Sequence, residues 1–343
     1  MASGLTVAVV GVTGAVGQTT LKLLDERKFP VKALRVFASE RSVGKTVTFK
    51  GETIHLGKLG PEAFKGVDIA LFSAGSSQSK EYAPQAVKAG AVVVDKSSAF
   101  RMDPTVPLVV PEVNAHALKG HRGIVACPNC TTIVTVMPLK PLHDAGRLRR
   151  VIATSYQAVS GAGVNGVEEL RSQTLAWARG EAITPKYFLH QIAFNLIPHI
   201  DKFDDGGYTG EEMKLVHEVR KILETPDLAV SPTTVRVPVF TTHSIAVNAE
   251  TESCGEPGES PRGLRPLSRH HPVGRSGAEP LSHARDRGRP GRLFRGPHSP
   301  GPDLAQRAEF LGGGRPAPQG RRPQRHSDRG APDPLRTPCA PCA

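Results

Sequence analysis

The chain has 343 residues, enough for two ordinary domains, and a formal net charge of +12. Sixteen arginines and nine acidic residues lie between Glu252 and the C-terminus, so about +7 of the +12 is concentrated there. The rest of the chain carries an ordinary surface charge, and the basic character therefore predicts no nucleic-acid partner. No run of about 18 apolar residues predicts a membrane span, and the N-terminus lacks the basic region and cleavage site of a secretory signal.

The first part of the chain alternates strands with helices. Short apolar runs typical of buried parallel strands are separated by amphipathic segments. This alternation predicts an α/β fold, a Rossmann-type doubly wound parallel sheet, over residues 1–129. The predicted elements are strand 5–11, helix 15–27, strand 33–37, strand 69–72, helix 80–89 and strand 91–94.

A second α+β domain is predicted over residues 130–251. Its segments alternate less regularly, and Gly/Asp-rich turns separate them. The predicted elements are helix 133–139, strand 151–158, helices 166–179 and 211–223, and strands 234–240 and 245–250.

A different composition begins after Thr251. Residues 252–343 are rich in Arg, Pro and Gly, with a single Val and no Ile, Trp or Tyr. Such a segment buries too little apolar surface to offset the entropy of ordering it. It is predicted to be a disordered basic tail or the product of a misread frame.

Three glycines connect the first strand to the first helix. Gly11, Gly14 and Gly17 form G-x-x-G-x-x-G, which allows a tight turn and brings backbone N–H groups close to a pyrophosphate. The alternative is a glycine-rich turn that binds nothing. We expect a dinucleotide to be held here by Gly11, Thr13, Gly14, Ala15, Val16 and Gly17.

The end of the second predicted strand should meet the cofactor's ribose. Glu40 suits a 2′-hydroxyl and would indicate NAD, whereas Ser39, Arg41 and Ser42 suit a 2′-phosphate and would indicate NADP. The hydroxyls and the guanidinium favour NADP. A solvated polar loop is the alternative.

Cys130 is the candidate nucleophile. It lies in Pro128-Asn129-Cys130-Thr131, just before a predicted helix, where the helix dipole lowers a thiol pKa and backbone N–H groups can hold an oxyanion. Taken alone, Cys130 is more simply interpreted as a packing residue. A lone histidine such as His243 is likewise usually structural. Cys127 and Cys130 have no second pair at zinc spacing, so no metal site is expected, and the default setting is reducing and cytoplasmic.

Seven motifs stand out over residues 5–251: Gly11–Gly17, Ser97–Arg101, Pro128–Thr131, His190–Asn195, Glu211–Lys214, Arg236–Val239 and His243–Ser244. Together, they closely resemble the aspartate-semialdehyde dehydrogenase family. Small departures are Val12 in place of the usual alanine and Lys96 where asparagine is common.

The resemblance implies reductive dephosphorylation of L-aspartyl-4-phosphate to L-aspartate-4-semialdehyde with NADPH, or the reverse, in a homodimer. It makes residues 130–251 an incomplete catalytic and dimerisation domain. The roles that it implies are thioester formation at Cys130, substrate binding by the adjacent Asn129, positioning by Gln157, acid/base work by His243, amino-acid binding by Arg236 and Glu211, phosphate binding by Arg101 and Lys214, and proximity of Ser160 and Gly161 to the nicotinamide.

The tail does not resemble the family, but the genetic code offers an explanation. Codons can be chosen for Leu311–Pro332 that, read one base later, give Trp-Val-Val-Gly-Asp-Gln-Leu-Arg-Lys-Gly-Ala-Ala, a family-like segment. We therefore hypothesise a frameshift just after Thr251.

Two other functions compete with this interpretation. The first is a related thioester-forming reductase, of the N-acetyl-glutamyl-phosphate or glyceraldehyde-phosphate type. The pairing of Glu211 with Arg236 argues against it, because an acylated amine needs no carboxylate partner. The second is a non-enzymatic cofactor-binding module whose Arg-rich tail binds nucleic acid through phosphates.

Overall fold

The computed structural model describes residues 4–39, 42, 44–60, 62–253 and the backbone of 293–294. Predictions that fall on Arg41, Glu40 and the tail beyond residue 253 lie outside the described residues. The elements are β1 (Leu5–Val10), α1 (Ala15–Glu26), β2 (Val31–Phe37), β3 (Thr46–Phe49), β4 (Glu52–His55), β5 (Ile69–Phe72), α2 (Ser76–Lys88), β6 (Val92–Asp95), α3 (Pro111–Asn114), β7 (Ile124–Ala126), α4 (Cys130–Gly146), β8 (Leu148–Gln157), α5 (Gly163–Ala178), α6 (Gly210–Ile222), β9 (Ala229–Arg236), β10 (Ser244–Thr251) and β11 (Leu293–Phe294).

The first sheet is a parallel, doubly wound sheet, as predicted. Its strand order is β2-β1-β5-β6-β7, and every neighbouring pair is parallel. Successive residues of β1 enter opposite cores, with Val9 on the face covered by Leu21 of α1 and Val10 on the face covered by Ala83 of α2. Helices on both faces leave the carboxyl ends of the strands as the edge where a ligand binds.

The second sheet has the order β11-β10-β8-β9, with β8 and β9 parallel and β10 antiparallel to β8. Leu139 of α4 and Leu215 of α6 are buried against Val151 and Ala153 of β8. This mixed sheet with its helices is the α+β region that the sequence predicted. Because β8 and β9 run in parallel, Gln157 and Arg236 lie side by side at their carboxyl ends.

Helix α6 starts with a capping box. The Thr209 hydroxyl accepts from the Glu212 N–H at 3.3 Å, and the Glu212 carboxylate accepts from the Thr209 N–H at 2.8 Å. These two hydrogen bonds satisfy backbone N–H groups that would otherwise lack partners at the start of a helix. The first turn of α6, which carries Glu211, is thereby fixed.

Several element boundaries were predicted wrongly. The strand expected over 234–240 is β9, and it ends at Arg236 because the Val239 N–H donates to Val237 O at 2.8 Å, a tight turn around Pro238. Helix α2 begins at Ser76 rather than at residue 80. The hairpin β3–β4 and the strand β7 were not predicted. Across the ranges that the structure describes, no helix has the length and apolar character needed to span a bilayer.

Candidate functional site

The loop between β1 and α1 is shaped by its glycines, and each meets a different constraint. Gly11 has a positive φ of 85°, and a Cβ there would lie 2.8 Å from Ser73 O. A Cβ on Gly17 would lie 2.4 Å from Gly11 O, which no backbone tolerates. Around Gly14, by contrast, the nearest atom to a Cβ is 3.5 Å away.

The start of α1 is free to receive a ligand. Residues Thr13, Gly14, Ala15 and Val16 are exposed, whereas Gly17 is buried under the turn. The first turn of a twelve-residue helix leaves backbone N–H groups without intrahelical partners, and such groups fit an anionic pyrophosphate. The glycines therefore divide into two that packing requires and one, Gly14, that leaves room for a cofactor.

The expected ribose-phosphate contacts are placed only in part. Ser39 is exposed at the end of β2, and its carbonyl accepts from the Ser42 N–H at 2.8 Å. Ser42 itself is buried, with 9% of its surface exposed. Among the described residues predicted to contact the ribose phosphate, Ser39 is therefore the one exposed to solvent.

Cys130 is the first residue of α4, so it lies at a helix N-terminus as expected, although the helix begins three residues earlier than the predicted range 133–139. Asn129 caps the helix, its side-chain oxygen accepting from the Thr131 N–H at 2.8 Å. Cys130 is exposed to solvent on one side. Its sulfur thus lies at a capped helix N-terminus and is open to a substrate.

His243 lies directly opposite this sulfur. Its Nε2 is 3.3 Å from Cys130 Sγ, and its Nδ1 accepts from the Ala158 N–H at 3.1 Å. Burial and the neighbouring Arg236 lower the pKa of His243 to about 4, although Glu211 acts in the opposite direction. The imidazole is neutral at physiological pH.

The surroundings of Cys130 correct one expectation about its acidity. Crowding by protein atoms, and then the charge of Glu211, raise the thiol pKa above its usual value, whereas hydrogen bonds from Thr131 and the charge of Arg101 lower it. We expected the helix dipole to make the thiol more acidic. The raised pKa means that stabilisation of the thiolate depends on its immediate hydrogen-bond donors.

Glu211 joins three of the predicted side chains. One of its oxygens accepts from Asn129 Nδ2 at 3.0 Å and from Gln157 Nε2 at 3.2 Å. The other accepts from Lys214 at 3.3 Å, and Lys214 also binds Asp201 at 2.8 Å. The network holds Gln157, which is 1% exposed, next to the start of α4.

The two predicted arginines are both buried, but in different surroundings. Arg236 donates to Ala158 O at 2.8 Å from Nη1, and burial lowers its pKa. Arg101 donates from all three nitrogens, to Cys127 O, Glu218 and Lys96 O. Its guanidinium, expected to hold phosphate, is therefore already engaged with protein acceptors.

Ser160 and Gly161 lie in the short turn Val159–Ala162 that follows β8. A Cβ on Gly161 would lie 2.7 Å from Arg236 Nη1 and 3.3 Å from His243 Nε2. A larger residue at position 161 would therefore require the Arg236 guanidinium to move.

Sequence reasoning missed Glu218. This carboxylate is 1% exposed, and it accepts from Arg101 at 3.0 Å and from the Asn129 N–H at 2.6 Å. It lies two helical turns after Glu211, on the same face of α6, and that spacing was a signal that could have revealed it. No cluster of three or more potential metal ligands occurs in the described part of the chain.

Two family models match the chain in the order of the two predicted domains. Residues 6–121 match the semialdehyde dehydrogenase NAD binding domain, and residues 139–264 match the semialdehyde dehydrogenase dimerisation domain. The gap between the two matches contains Cys130.

Individual relatives agree with these models. The chain is 53% identical over 262 residues to the aspartate-semialdehyde dehydrogenase of Aquifex aeolicus, covering 75% of this chain and 77% of the relative. It is 52% identical over 259 residues to that of Bacillus subtilis, covering 74% and 75%.

Solved structures agree as well. The crystal structure of aspartate semialdehyde dehydrogenase II from Vibrio cholerae has a TM-score of 0.70 at 49% identity, covering 73% of this chain and 75% of that chain. The same enzyme complexed with ASA gives a TM-score of 0.70 at 48% identity, with the same coverage.

The fold and the glycine loop, with the matching NAD binding domain, define a nicotinamide-dependent semialdehyde dehydrogenase. The chain belongs to the aspartate-semialdehyde dehydrogenase family. This membership confirms the function predicted from the motifs and favours it over the N-acetyl-glutamyl-phosphate reductase and nucleic-acid alternatives.

Proposed function

We propose that this chain interconverts L-aspartyl-4-phosphate and L-aspartate-4-semialdehyde, with NADPH and NADP, through a thioester on Cys130. The observation that carries the proposal is the placement of Cys130 Sγ at a capped helix start, 3.3 Å from His243 Nε2. A cysteine so placed can attack an acyl phosphate, and phosphate then leaves with its bonding electron pair as the thioester forms.

The cofactor site has the features that a dinucleotide needs. The exposed backbone of Thr13, Gly14, Ala15 and Val16 at the start of α1 would hold the pyrophosphate, and Gly11 and Gly17 shape the turn. When bound, the nicotinamide supplies or accepts the hydride. Ser160 and Gly161 follow β8 next to His243, and we place them at the nicotinamide edge of the substrate pocket.

NADP is the proposed form of the cofactor. Exposed Ser39, with Arg41 two residues further along the sequence, suits a 2′-phosphate better than a 2′-hydroxyl, whereas the neighbouring Ser42 is buried. A solved structure of the Candida albicans aspartate semialdehyde dehydrogenase is described with NADP. Arg41→Ala should lower kcat/KM for NADPH about tenfold or more and leave kcat/KM for NADH unchanged.

The amino-acid end of the substrate is assigned to the charged groups around Glu211. Its carboxylate suits the substrate ammonium, and the guanidinium of Arg236 suits the substrate carboxylate. Gln157 and Asn129 hold Glu211 and the start of α4 in place. Lys214, with 32% of its side chain exposed and paired with Asp201 and Glu211, is the more accessible cation for a phosphate. Arg101, whose nitrogens are all engaged with protein acceptors, would have to exchange one of them to bind phosphate directly.

A homodimer is the proposed assembly. The dimerisation-domain match and a set of exposed apolar side chains on one stretch of the second domain support it. Trp177, Leu189, Phe194 and Leu196 are 61%, 74%, 60% and 59% exposed, and the rings of Trp177 and Phe194 lie 4.8 Å apart. Monomers rarely leave such a surface uncovered.

We propose that the chain has three parts, residues 1–129, 130–251 and 252–343. We attribute residues 252–343 to a frameshift, because the matches to the relatives extend over only about three quarters of the chain. Sequencing the gene from codon 250 onward tests this, and a shifted frame with stop codons would refute it. A cytoplasmic location suits an enzyme whose nucleophile must stay a free thiol.

The central experiment compares Cys130→Ala with Cys127→Ala. NADPH formation is followed from aspartate semialdehyde, phosphate and NADP, with N-acetylglutamate semialdehyde as the competing substrate. In a chain whose reading frame is restored after codon 251, we expect turnover with the first substrate, its loss in Cys130→Ala, and its retention in Cys127→Ala. The chain as it stands, with an incomplete second domain, should show weak or no activity. Near-normal turnover of Cys130→Ala would overturn the thioester, and preference for the N-acetylated substrate would overturn the substrate assignment.

A further inference from the structure

Lys96 is a charged residue for which the proposed reaction has no role so far. It directly follows β6 at the carboxyl edge of the first sheet. Its ammonium donates to Thr20 Oγ1 on α1 at 3.0 Å, and Thr20 Oγ1 in turn donates to Val16 O at 2.8 Å. Val16 belongs to the first turn of α1, where the proposed cofactor site begins. The ammonium of Lys96 therefore lies against the helix that would hold the pyrophosphate.

The register of the sheet places Lys96 between the glycine loop and the nucleophile. The last residues of β1, β5, β6 and β7 pair with one another, so the residues that follow them form a row along the carboxyl edge. The backbone N–H groups of Lys96 and Cys127 continue the pairing past the strands, with bonds of 3.0 and 2.7 Å. The row consists of Gly11, Ser73, Lys96 and Cys127. A dinucleotide that reaches from the loop at Gly11 to Cys130, three residues after Cys127, must cross Lys96.

The side chain of Lys96 lies on the α1 face of the sheet. The preceding Asp95 faces the other side, where it accepts from the Ser79 hydroxyl of α2 at 2.8 Å, and side chains alternate along a strand. Ser73, the neighbour of Lys96 in the row, follows β5 in register and shares the α1 face. Its hydroxyl oxygen is buried and has no hydrogen-bond partner among the described residues. An ammonium and an unpartnered hydroxyl thus occupy adjacent positions of one face.

The charge of Lys96 is not neutralised by the protein. In the part of the chain that the structure describes, no carboxylate forms an ion pair with it. Burial lowers the pKa of Lys96, and a thiolate at Cys127 would act in the opposite direction. Burial also raises the pKa of the Cys127 thiol, which is therefore neutral near physiological pH and supplies no counter-charge. An ammonium held partly away from water without a counter-charge costs free energy that a bound anion would recover.

Building on the function proposed above, we propose that Lys96 binds the pyrophosphate of the nicotinamide cofactor. Its ammonium adds a charged donor to the neutral backbone N–H groups at the start of α1. Lys96 is partly exposed, so an anion can reach it. Because NAD and NADP share the pyrophosphate, Lys96 contributes equally to the binding of both, and the residues after β2 distinguish between them. The alternative anion is the phosphate of the substrate.

Three variants test the charge of Lys96. Lys96→Met removes the charge and keeps an unbranched side chain, whereas Lys96→Arg keeps the charge. Lys22→Met, at a lysine of α1 whose side chain is 52% exposed, is the matched control. Fluorescence titration of the 343-residue chain gives the Kd for NADPH and for NADH. Competition against NADPH gives the Kd for ADP-ribose, which contains the pyrophosphate, and for 2′-AMP, which lacks it. Calorimetry gives the Kd for inorganic phosphate.

We expect Lys96→Met to raise the Kd for NADPH, NADH and ADP-ribose by one common factor of about ten or more, the size of a hydrogen bond to a charged group. The Kd for 2′-AMP and for inorganic phosphate should not change. Lys96→Arg and Lys22→Met should bind all five ligands as the parent chain does. An effect on NADPH and 2′-AMP alone would assign Lys96 to the 2′-phosphate, and an effect on inorganic phosphate alone would assign it to the substrate. Either result, or an unchanged Kd throughout, would overturn the proposal.

Thermal denaturation without ligand separates cofactor binding from a structural role. If Lys96 serves to hold α1 through Thr20, Lys96→Met loses that hydrogen bond and should melt at a lower temperature. We expect an unchanged or higher melting temperature, because the variant removes an unpaired and partly buried charge. A lowered melting temperature together with weaker binding would overturn the proposal.

The two proposals can fail separately, because none of these measurements requires turnover. A chain that binds the cofactor through Lys96 but is inactive on aspartate semialdehyde, even with its reading frame restored, would refute the proposed function alone. An active chain whose cofactor affinity is the same in Lys96→Met would refute the role of Lys96 alone.

Discussion

Glu218 and Arg101 form a buried ion pair, 3.0 Å long, between α6 and the loop that follows β6. The second oxygen of Glu218 accepts from the N–H of Asn129, the residue that caps α4. One carboxylate therefore holds the cation beneath the Cys130 loop and the backbone at the start of the nucleophile's helix. The two partners are 117 residues apart in the chain, so the pair also ties the two predicted domains together.

Glu218→Gln should destabilise the protein by about 3 kcal/mol, because the guanidinium of Arg101 is left buried without its counter-charge. Glu62→Gln is the control, since it removes one partner of an ion pair whose side chains are 85% exposed, and it should cost less than about 0.5 kcal/mol. Urea denaturation measures both. Equal small effects would show that the buried pair contributes nothing.

The glycine loop gives a prediction that separates packing from cofactor binding. In Gly17→Ala the new Cβ meets Gly11 O at 2.4 Å, so we expect a lower melting temperature with or without cofactor. In Gly14→Ala the nearest atom is 3.5 Å away, so melting should not change, while the Kd for NADPH should rise about tenfold. Thermal denaturation and cofactor titration test the pair. A destabilised Gly14→Ala would mean that the loop is packed at both positions.

Local patterns in the sequence were sufficient for much of the fold. The apolar run of β1 and the glycines after it predicted the first strand, turn and helix, because strand burial and helix start both leave local signals. The end of β9 was predicted wrongly, because the turn around Pro238 interrupts an apolar run that continues past it.

The site was harder to predict. Cys130 and His243 are 113 residues apart, and they meet because of sheet pairing and helix packing that no local pattern encodes. Only the resemblance to a family linked them. The contact between Ala158 and His243, which holds the imidazole opposite Cys130, is made by a backbone N–H and leaves no trace in residue types.

The pH dependence of turnover follows from two shifted pKa values. The thiol pKa of Cys130 is raised by the protein atoms crowded around it and by the charge of Glu211. The thiolate fraction, and with it kcat/KM for aspartate semialdehyde, should therefore keep rising above the pH at which an ordinary thiol ionises. The pKa of His243 is lowered to about 4, so no inflection should appear near pH 6.5. A pH profile of kcat/KM measures both, and an acid limb near pH 6.5 would contradict the neutral histidine.

The exposed apolar surface of the second domain predicts where subunits meet. Leu189→Lys combined with Leu196→Lys places two charges on side chains that are 74% and 59% exposed, so the dimer should weaken at least about tenfold. Leu118→Lys, at a leucine 38% exposed in the first domain, should leave the assembly unchanged. Sedimentation velocity distinguishes these outcomes. A monomeric parent chain, or an unaffected double variant, would place the interface elsewhere or remove it.

Gly161 gives the most local test of the site, because its lack of a side chain is what lets the turn after β8 pass Arg236 and His243. In Gly161→Ala the Cβ would lie 2.7 Å from Arg236 Nη1, so the guanidinium must leave its bond to Ala158 O, and the His243 ring 3.3 Å away must shift. A displacement approaching 1 Å of groups that position the substrate costs on the order of a hundredfold in kcat/KM.

Gly120→Ala is the control, since a Cβ there meets nothing within 4 Å. Steady-state kinetics and melting temperature should be measured together on both variants. We expect Gly161→Ala to lose activity while its melting temperature changes little, because Gly161 itself is exposed and the displaced group is the end of an arginine side chain. Loss of stability in step with activity would instead make Gly161 a folding requirement, and unchanged activity would show that Arg236 and His243 tolerate movement.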